Sequence, residues 1–508
     1  MLRKGELTMK QFKHFFLMLI ILASVIAAPL TALAASSGPN STSQGTSAPL
    51  ANDDALQKVK QRGVLVVGTS AGYPPYEFTT KKNGKTEYIG FEMSLAKQFA
   101  KDLGVKLEIK NMDFDSLLVA LESHKIDVAI AGINITPERK KSVDFSKPYY
   151  KGTKYFLINK KNQAKYKTYT DFKGKTVGTE NGVMEYTLIK KNIPNVKEKG
   201  LAKWSSLVIA LQSHKLDGVL MDSATAQAFA TANPDLYAFN SHIKIHTAGV
   251  AMAFPKGATS LENAANQTID QVTKKDLIQK KWLPQAARQI KSTTKHNTVA
   301  NYWTFFVKGV EYTLLITIIS VICGLILGTL FALMRLSNSK ILHGIAVAYI
   351  EFIRGTPMLV QIMFVYFGIG ALIQSLPALL AGIIAVSINS GAYVAEVIRS
   401  GIQSLPIGQT EAARSLGMTK HQTFHYVIIP QALKNIWPAL GNEFITLLKD
   451  SSLVSTIGVT ELMYETQLVQ ADTYKGVLPL FITMMIYFVL TFTLTRLLNH
   501  LKKAMNQP

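Results

Sequence analysis

Residues 116–132 read SLLVALESHKIDVAIAG, and residues 206–222 read SLVIALQSHKLDGVLMD. The two stretches are one pattern, repeated 90 residues apart with no gap in register. In each, apolar residues recur at i, i+1, i+4 and i+5, which marks one face of a helix. A polar Ser-His-Lys turn follows, and then a short apolar run that reads as a strand. A helix feeding a strand, met twice, predicts two similar α/β lobes. In open α/β sheets, ligands bind beyond the carboxyl ends of the strands. Gly132 and Asp222, the last residues of the two copies, are therefore expected to face each other across a cleft. His124 and His214 sit in the polar turns. Neither has a carboxylate or second His at ligating spacing, so both are expected to be solvated turn residues, with no metal site.

The same character extends over 51–295, where strands such as Val64–Val67 alternate with amphipathic helices such as Glu92–Leu103. That alternation predicts mostly parallel sheets. The whole chain has 508 residues, with 55 Lys and Arg against 33 Asp and Glu, a formal net charge of +22. Residues 51–295 hold 38 of these cations and 23 of the acids. Both signs are mixed, with no Arg-rich stripe and no zinc-finger spacing. A nucleic-acid partner is not expected; attraction to an anionic cell surface accounts for the charge. The single cysteine, Cys323, excludes a disulfide framework and a multi-Cys metal site.

The ends of the chain differ from this middle. Arg3, Lys4, Lys10 and Lys13 precede an apolar run from Phe15 to Ala28, and Ala32-Leu33-Ala34 resembles a cleavage site. Residues 1–35 thus read as a signal peptide, with an uncleaved anchor helix as the alternative. Residues 36–50 are an uncharged, Ser- and Thr-rich flexible linker. Beyond a second linker at 291–305, apolar segments run over 312–333, 345–370, 377–398, 432–457 and 477–498. Each approaches the length of ~20 residues that spans a bilayer. Arg335, Lys340, Arg399, Arg414, Lys420, Arg496, Lys502 and Lys503 fall in alternate loops. The positive-inside rule makes those loops cytoplasmic and puts 51–290 outside. Lys449-Asp450 lies inside the fourth segment and is expected to form a structural ion pair, with substrate contact as the alternative.

Three stretches carry a resemblance: GTSAGYPPYEF at 68–78, GFEMSLAKQFA at 90–100 and AGINITPERKKSVDFSKPYY at 131–150. They are similar to the extracellular amino-acid-binding proteins of ABC importers. A further stretch, EAARSLG at 411–417 followed by Ile429-Pro430, resembles the EAA loop of the importers' membrane subunits. EFIRGTPMLVQ at 351–361 and LLKDSSLVSTIGVTEL at 447–462 resemble polar-amino-acid permeases in particular. The resemblance implies an α/β two-lobed clamshell of the type-2 periplasmic-binding-protein kind at 51–290. An all-α transmembrane domain of about five helices then follows at 306–508.

The chemistry of the ligand fits the residues. A free amino acid needs a fixed bidentate cation and a fixed anion. Thr136 reads as an N-cap and Pro137 as N1, which places Arg139 and free N–H groups at one helix start. Arg139 would hold the carboxylate; its bland alternative is a surface arginine. The resemblance assigns Asp222 to the ammonium, against a salt bridge within the fold. It also implies that Tyr73 and Phe114 sandwich the side chain. Gly132, Asn134, Gly182 and Val183 would add contacts. Glu180 is expected to face water, with recognition of a cationic side chain as the alternative. Ser70 stands where several relatives carry Asp, which leaves the ligand side chain open.

Glu411, Ala412, Ala413 and Gly417 would form the docking point for an ATPase, with Thr410 as helix cap and Gly417 as a left-handed terminator. The triplets Gly84-Lys85-Thr86 and Gly174-Lys175-Thr176 have Thr79 and Tyr169 five residues before the glycine, so neither is a phosphate loop. ATP and Mg are therefore expected on a separate ATPase subunit, and no cofactor or enzymatic activity in this chain. The whole reads as the binding and translocation subunit of an amino-acid importer, a multi-pass cell-membrane protein expected to form a homodimer. The EAA loop and C-terminus would be cytoplasmic. A glutamate-receptor-type channel and a transmembrane sensor are the rivals. The first lacks a TVGYG-like filter and has no use for an EAA loop. The second needs a cytoplasmic signalling domain, for which the residues after 498 are too few.

Overall fold

The structure, a computed structural model, describes residues 54–506 except 83–84, 246, 297, 371–375 and 474. The expected signal peptide and first linker lie outside the described residues.

The strands run β1 (Val64–Thr69), β2 (Phe78–Lys82), β3 (Lys85–Ile89), β4 (Lys106–Asn111), β5 (Val128–Ala129) and β6 (Val143–Phe145). They continue with β7 (Lys154–Asn159), β8 (Thr176–Glu180), β9 (Lys197–Leu201), β10 (Gly218–Asp222), β11 (Leu236–Asn240) and β12 (Ala253–Pro255). Two five-stranded sheets form, in the orders β4-β1-β5-β12-β6 and β11-β7-β10-β8-β9. Each is the floor of one lobe. The helices used below in these lobes are α1 (Phe91–Leu103), α2 (Ser116–Glu122) and α3 (Trp204–Gln212).

The repeat is visible in the backbone. In both copies the helix ends, the histidine takes a left-handed conformation (φ 52° at His124, 58° at His214), and a strand enters parallel beside its neighbour. The expectation of mostly parallel sheets is only half right. β1–β4, β1–β5, β8–β10 and β8–β9 are parallel. β7 and β12 pair antiparallel with both of their neighbours. The reason is topological. The chain crosses between lobes after β6 and returns after β11, and each strand that begins after a crossing runs against its sheet.

The helical part holds α4 (Trp303–Arg335), α5 (Lys340–Arg354), α6 (Met358–Met363), α7 (Ala378–Gln403), α8 (Ile407–Ser415), α9 (Ile429–Asp450), α10 (Leu462–Thr473) and α11 (Val477–Asn506). Among the described residues, three helices are long and apolar enough to cross a membrane: α4 with its preceding turn, α7, and α11 as far as His500. The segment expected at 345–370 is instead a bent pair, Lys340–Arg354 and Met358–Ile369, at 105° to each other. Gly355 and Pro357 interrupt it: proline disfavours a helical residue before it. The segment expected at 432–457 is α9 plus a 3-10 stretch, Ser451–Ile457. It carries Lys434, Asn435, Asn442 and Glu443, which make it too polar to qualify. Lys449 and Asp450 form no ion pair with each other among the described residues; successive helical residues point about 100° apart.

α4 and α7 approach closely because glycines leave room. A Cβ on Gly324 would lie 2.4 Å from Ser390 Oγ, and one on Gly328 2.5 Å from Val394. Small residues at such crossings are how membrane helices gain packing contact. Glu396 of α7 draws in Arg335 of α4 at 2.9 Å and also pairs with Arg399.

The stretch expected as a linker at 291–305 is mostly helical. Leu283–His296 is a helix, and Val299–Tyr302 makes a 3-10 turn directly before α4. Val299, Tyr302, Phe305 and Phe306 bury against Leu462, Leu468 and Val469 of α10. The two halves of the chain are thereby packed together, with α10 at the junction. Tyr464 hydroxyl accepts from Asn111 Nδ2 at 3.0 Å and lies 3.2 Å from Tyr88 hydroxyl. Thr79 donates to the Asp472 carboxylate. An apolar cluster continues across the junction, from Met112, Leu117 and Ile126 to Phe367, Val454 and Ile457.

Asp472 is 2% exposed. Burial raises its carboxyl from the ordinary 3.8 to about 7, with Glu465 adding repulsion while the Thr79 and Tyr302 hydroxyls oppose the shift. The packed junction therefore holds a proton that the open one releases. Junction stability should fall as pH rises from about 4 to about 7 and stay level above that. Hydrogen exchange of α10 and the β2–β3 hairpin in the full chain in nanodiscs measures this. Asp472→Asn should flatten the pH dependence.

Candidate functional site

The space between the lobes measures about 320 Å³, part of it open to solvent. Tyr73, Phe114, Gly132, Asn134, Arg139, Val183 and Asp222 all line it. Gly182 lies at its edge, bonded to Arg139. The residues expected to meet a ligand are thus brought together from both sheets. Tyr73, Phe114, Gly132, Asn134 and Arg139 come from the first lobe, and the others from loops that follow β8 and β10.

Arg139 spans the two lobes. Its guanidinium donates to Asn134 carbonyl at 2.8 Å in its own lobe and to Gly182 carbonyl at 2.8 Å in the other. It lies 5.4 Å over the Phe114 ring. A guanidinium carries five N–H donors, so three remain for a carboxylate. Thr136 is not the N-cap of a helix that begins at Pro137. The helix spans only Arg139–Ser142, with Glu138 at the cap position. Thr136 Oγ1 still accepts from Arg139 N at 3.3 Å, which fixes the turn. Gly132 also departs from expectation. Its N–H donates to both Glu92 oxygens, at 3.1 and 3.0 Å, and is not free for a ligand.

Asp222 ends β10 and is 3% exposed. It accepts from Lys154 Nζ at 2.6 Å and from Tyr73 hydroxyl at 3.1 Å. The Tyr73 hydroxyl in turn accepts from Asp222 N at 2.9 Å, which stitches the lobes together. Lys154 also pairs with Glu185. Both carboxylates hold the Lys154 ammonium well above its ordinary value, against the opposing pull of burial. Asp222 therefore makes the internal salt bridge that was the alternative reading. It also lines the cleft, where a carboxylate with about four acceptor sites has capacity left.

Several residues of the site escaped the sequence reading. Trp204 lines the cleft, with its ring 4.8 Å from that of Tyr73, whose other neighbour is Tyr76 at 5.0 Å. Trp204 starts the second repeat helix and stands 90 residues after Phe114, the aromatic at the same position of the first copy. Lys154, Glu185 and Glu77 gave no signal as isolated charges in a charge-rich domain. Glu180 was expected to face water. It is 3% exposed and lines the cleft, because β8 is covered along its length and Glu180 is its last residue. Trp204 is its hydrogen-bond partner, and burial pushes its carboxyl well above the ordinary range.

A second space of about 380 Å³ adjoins the first. Glu180 and Trp204 belong to both. Its far wall is α10, through Tyr464, Gln467, Leu468 and Ala471. The lobes are also bridged by Lys203 and Asp113 at 2.6 Å.

Residues 65–285 match the bacterial extracellular solute-binding proteins, family 3. Residues 320–507 match the inner membrane component of binding-protein-dependent transport systems. A putative glutamine transport system permease protein of Rickettsia typhi is 38% identical over 202 residues, 40% of this chain and 93% of that protein. The chain belongs to the amino-acid ABC transporters. Its solute-binding and permease domains are fused in one polypeptide. The arginine transport system permease protein of Bacillus subtilis is 41% identical to this transporter over 192 residues, 38% of this chain and 88% of that one. Among solved structures, an amino acid ABC transporter substrate-binding protein from Streptococcus pneumoniae bound to L-arginine is 33% identical. That match covers 46% of this chain and 98% of the other, with a TM-score of 0.45.

The permease half of the transporter carries the second expected site. α8 holds Glu411, Ala412 and Ala413. Thr410 lies inside this helix and does not cap it; Pro406 is at the cap position. Ala412 faces outward, but Ala413 is 4% exposed and packs inside the chain. Both alanines therefore cannot offer one external face. Gly417 follows with φ 82°, the left-handed terminator expected.

Lys154 is 1% exposed at its side chain, and so holds two buried carboxylates in place. Lys154→Met should destabilise the second lobe by about 3–5 kcal/mol, the cost of leaving buried charge unpaired. Denaturant unfolding of the full chain measures it. Adding Glu185→Gln should recover part of the loss.

Proposed function

We propose that this chain captures a polar L-amino acid outside the cell and passes it through a membrane path formed with a second copy of itself. The observation that carries the reading is the convergence of Arg139 and Asp222 on one enclosed space, with Tyr73 and Phe114 beside them. Arg139 offers fixed N–H donors to a carboxylate, and Asp222 offers acceptor oxygens to an ammonium. The two groups sit on different lobes, so a zwitterion binds fully only when both lobes close on it.

ATP hydrolysis is assigned to a separate subunit, which would hold ATP and Mg. The absence of a phosphate-loop sequence supports this. α8 is the proposed docking point. Ile407 and Leu416 are 77% and 83% exposed, two apolar side chains at the ends of a short helix left uncovered among the described residues. Glu411 and Ala412 are exposed between them. The basic excess of alternate loops supports a cytoplasmic α8 and an outward-facing cleft. An N-terminal signal at 1–35 would export the binding domain.

Calorimetry on the full chain in nanodiscs, across the L-amino acids, tests the capture step. Arg139→Ala and Asp222→Ala should each weaken binding by about 2–5 kcal/mol, the usual loss when one partner of a buried charge pair is truncated. Amino acids blocked at the amine or the carboxylate should fail to bind. Unchanged affinity in Asp222→Ala removes that residue from the site.

The coupling step has its own test. A non-glycine residue in the left-handed region costs ~1–2 kcal/mol. Gly417 has φ 82°, and no atom lies within 4 Å of where its Cβ would be. Gly417→Val therefore meets backbone strain alone. It should redirect the chain after α8 and abolish amino-acid-stimulated ATPase activity of the assembled transporter, while binding outside is kept. Intact stimulation would show that this loop is not the coupling element.

A further inference from the structure

We propose that the amino acid taken by this cleft carries a positively charged side chain, and that Glu180 selects it. This rests on the reading of the cleft as an amino-acid site and deepens it.

The argument begins with the charges held out of water there. Glu77, Glu180, Glu185 and Asp222 line the cleft, and Glu92 stands behind Glu77. All five are 3% exposed or less. Among the described residues, Arg139 and Lys154 answer them from the cleft wall and directly behind it. Lys203 acts on Glu180 from the adjoining space, but its ion pair is with Asp113 at 2.6 Å, so its charge is already matched. A neutral zwitterion adds one charge of each sign, so it leaves the negative excess as it was. A ligand with an additional cation reduces it.

The local pairing shows where that cation goes. Asp222 and Glu185 share Lys154. Glu77 and Glu92 hydrogen-bond to each other, so a proton shared between them removes one of their two charges. Glu180 remains. Trp204 bonds to it, but among the described residues Glu180 forms no ion pair. It lies on the wall shared by the ligand space and the adjoining one. Trp204, its hydrogen-bond partner, and Phe114 line the same space. Aromatic faces accept both the apolar stem and the charged head of arginine or lysine. Burial raises the Glu180 carboxyl well above its ordinary range, and a cation arriving beside it favours the ionised form.

The test is calorimetry on the full chain in nanodiscs with L-arginine, L-lysine, L-glutamine, L-glutamate and L-leucine. Arginine or lysine should bind about 30-fold more tightly than glutamine, as one charge-assisted contact implies. Glu180→Gln should narrow that gap to about threefold, and Glu180→Asp should keep most of it. Tightest binding by glutamine or glutamate overturns the proposal. So does an undiminished preference for the cation in Glu180→Gln. No binding by any of the five would instead sink the amino-acid reading of the cleft, and this inference with it.

Discussion

A carboxylate taken out of water must be answered by a cation, a proton or several hydrogen bonds. The cleft is organised around that requirement. Asp222 can sit at the end of a covered strand because Lys154 reaches it from the neighbouring antiparallel strand, β7. β7 is the strand that begins after the first crossing between lobes. The crossing therefore does more than connect two domains. It delivers the cation that answers the buried Asp222 carboxylate. Tyr73 then ties the same carboxylate to the opposite lobe. Position, ion pairing and the link between lobes meet in one residue.

The same requirement is met differently at the junction between the halves. There α10 presents Glu465 and Asp472, both buried, and Lys308 reaches only Glu465, at 3.0 Å. Asp472 has hydroxyl partners and no cation among the described residues. Asp222 in the cleft is answered by a cation, and Asp472 at the junction by a proton. Because α10 also closes the space adjoining the ligand site, events in the cleft and contacts of the membrane half share a wall.

Much of this was legible in the sequence, for identifiable reasons. The 90-residue repeat located both lobes, since helix period and strand run are local properties. Arg139, Tyr73, Phe114 and Asp222, which line the cleft, stood out because their neighbours form a recognisable pattern. Gly417 was found because a helix end with that sequence needs positive φ. Pairing partners were not legible. Lys154 and Glu185 are 31 residues apart in sequence, and Lys154 and Asp222 are 68 apart. Nothing local distinguishes these from the solvated charges around them. Glu180 was misjudged for the same reason: its burial depends on Trp204, which arrives from a separate helix. The bend at 105° was hidden because hydropathy averages over a break that one Gly and one Pro create.

The helical connection between the halves has a kinetic meaning. A binding protein that diffuses freely must find its membrane partner at whatever concentration it is made. Here the join is short, mostly helical, and packed on α10 through Tyr302 and Phe305. Joining two modules so closely makes their encounter intramolecular, with effective concentrations of order mM for short linkers. The docking surface is then relieved of any need for high intrinsic affinity. Weak contacts suffice, and weak contacts separate quickly. The rate at which a loaded clamshell engages becomes a property of the molecule and is independent of how many copies the cell makes.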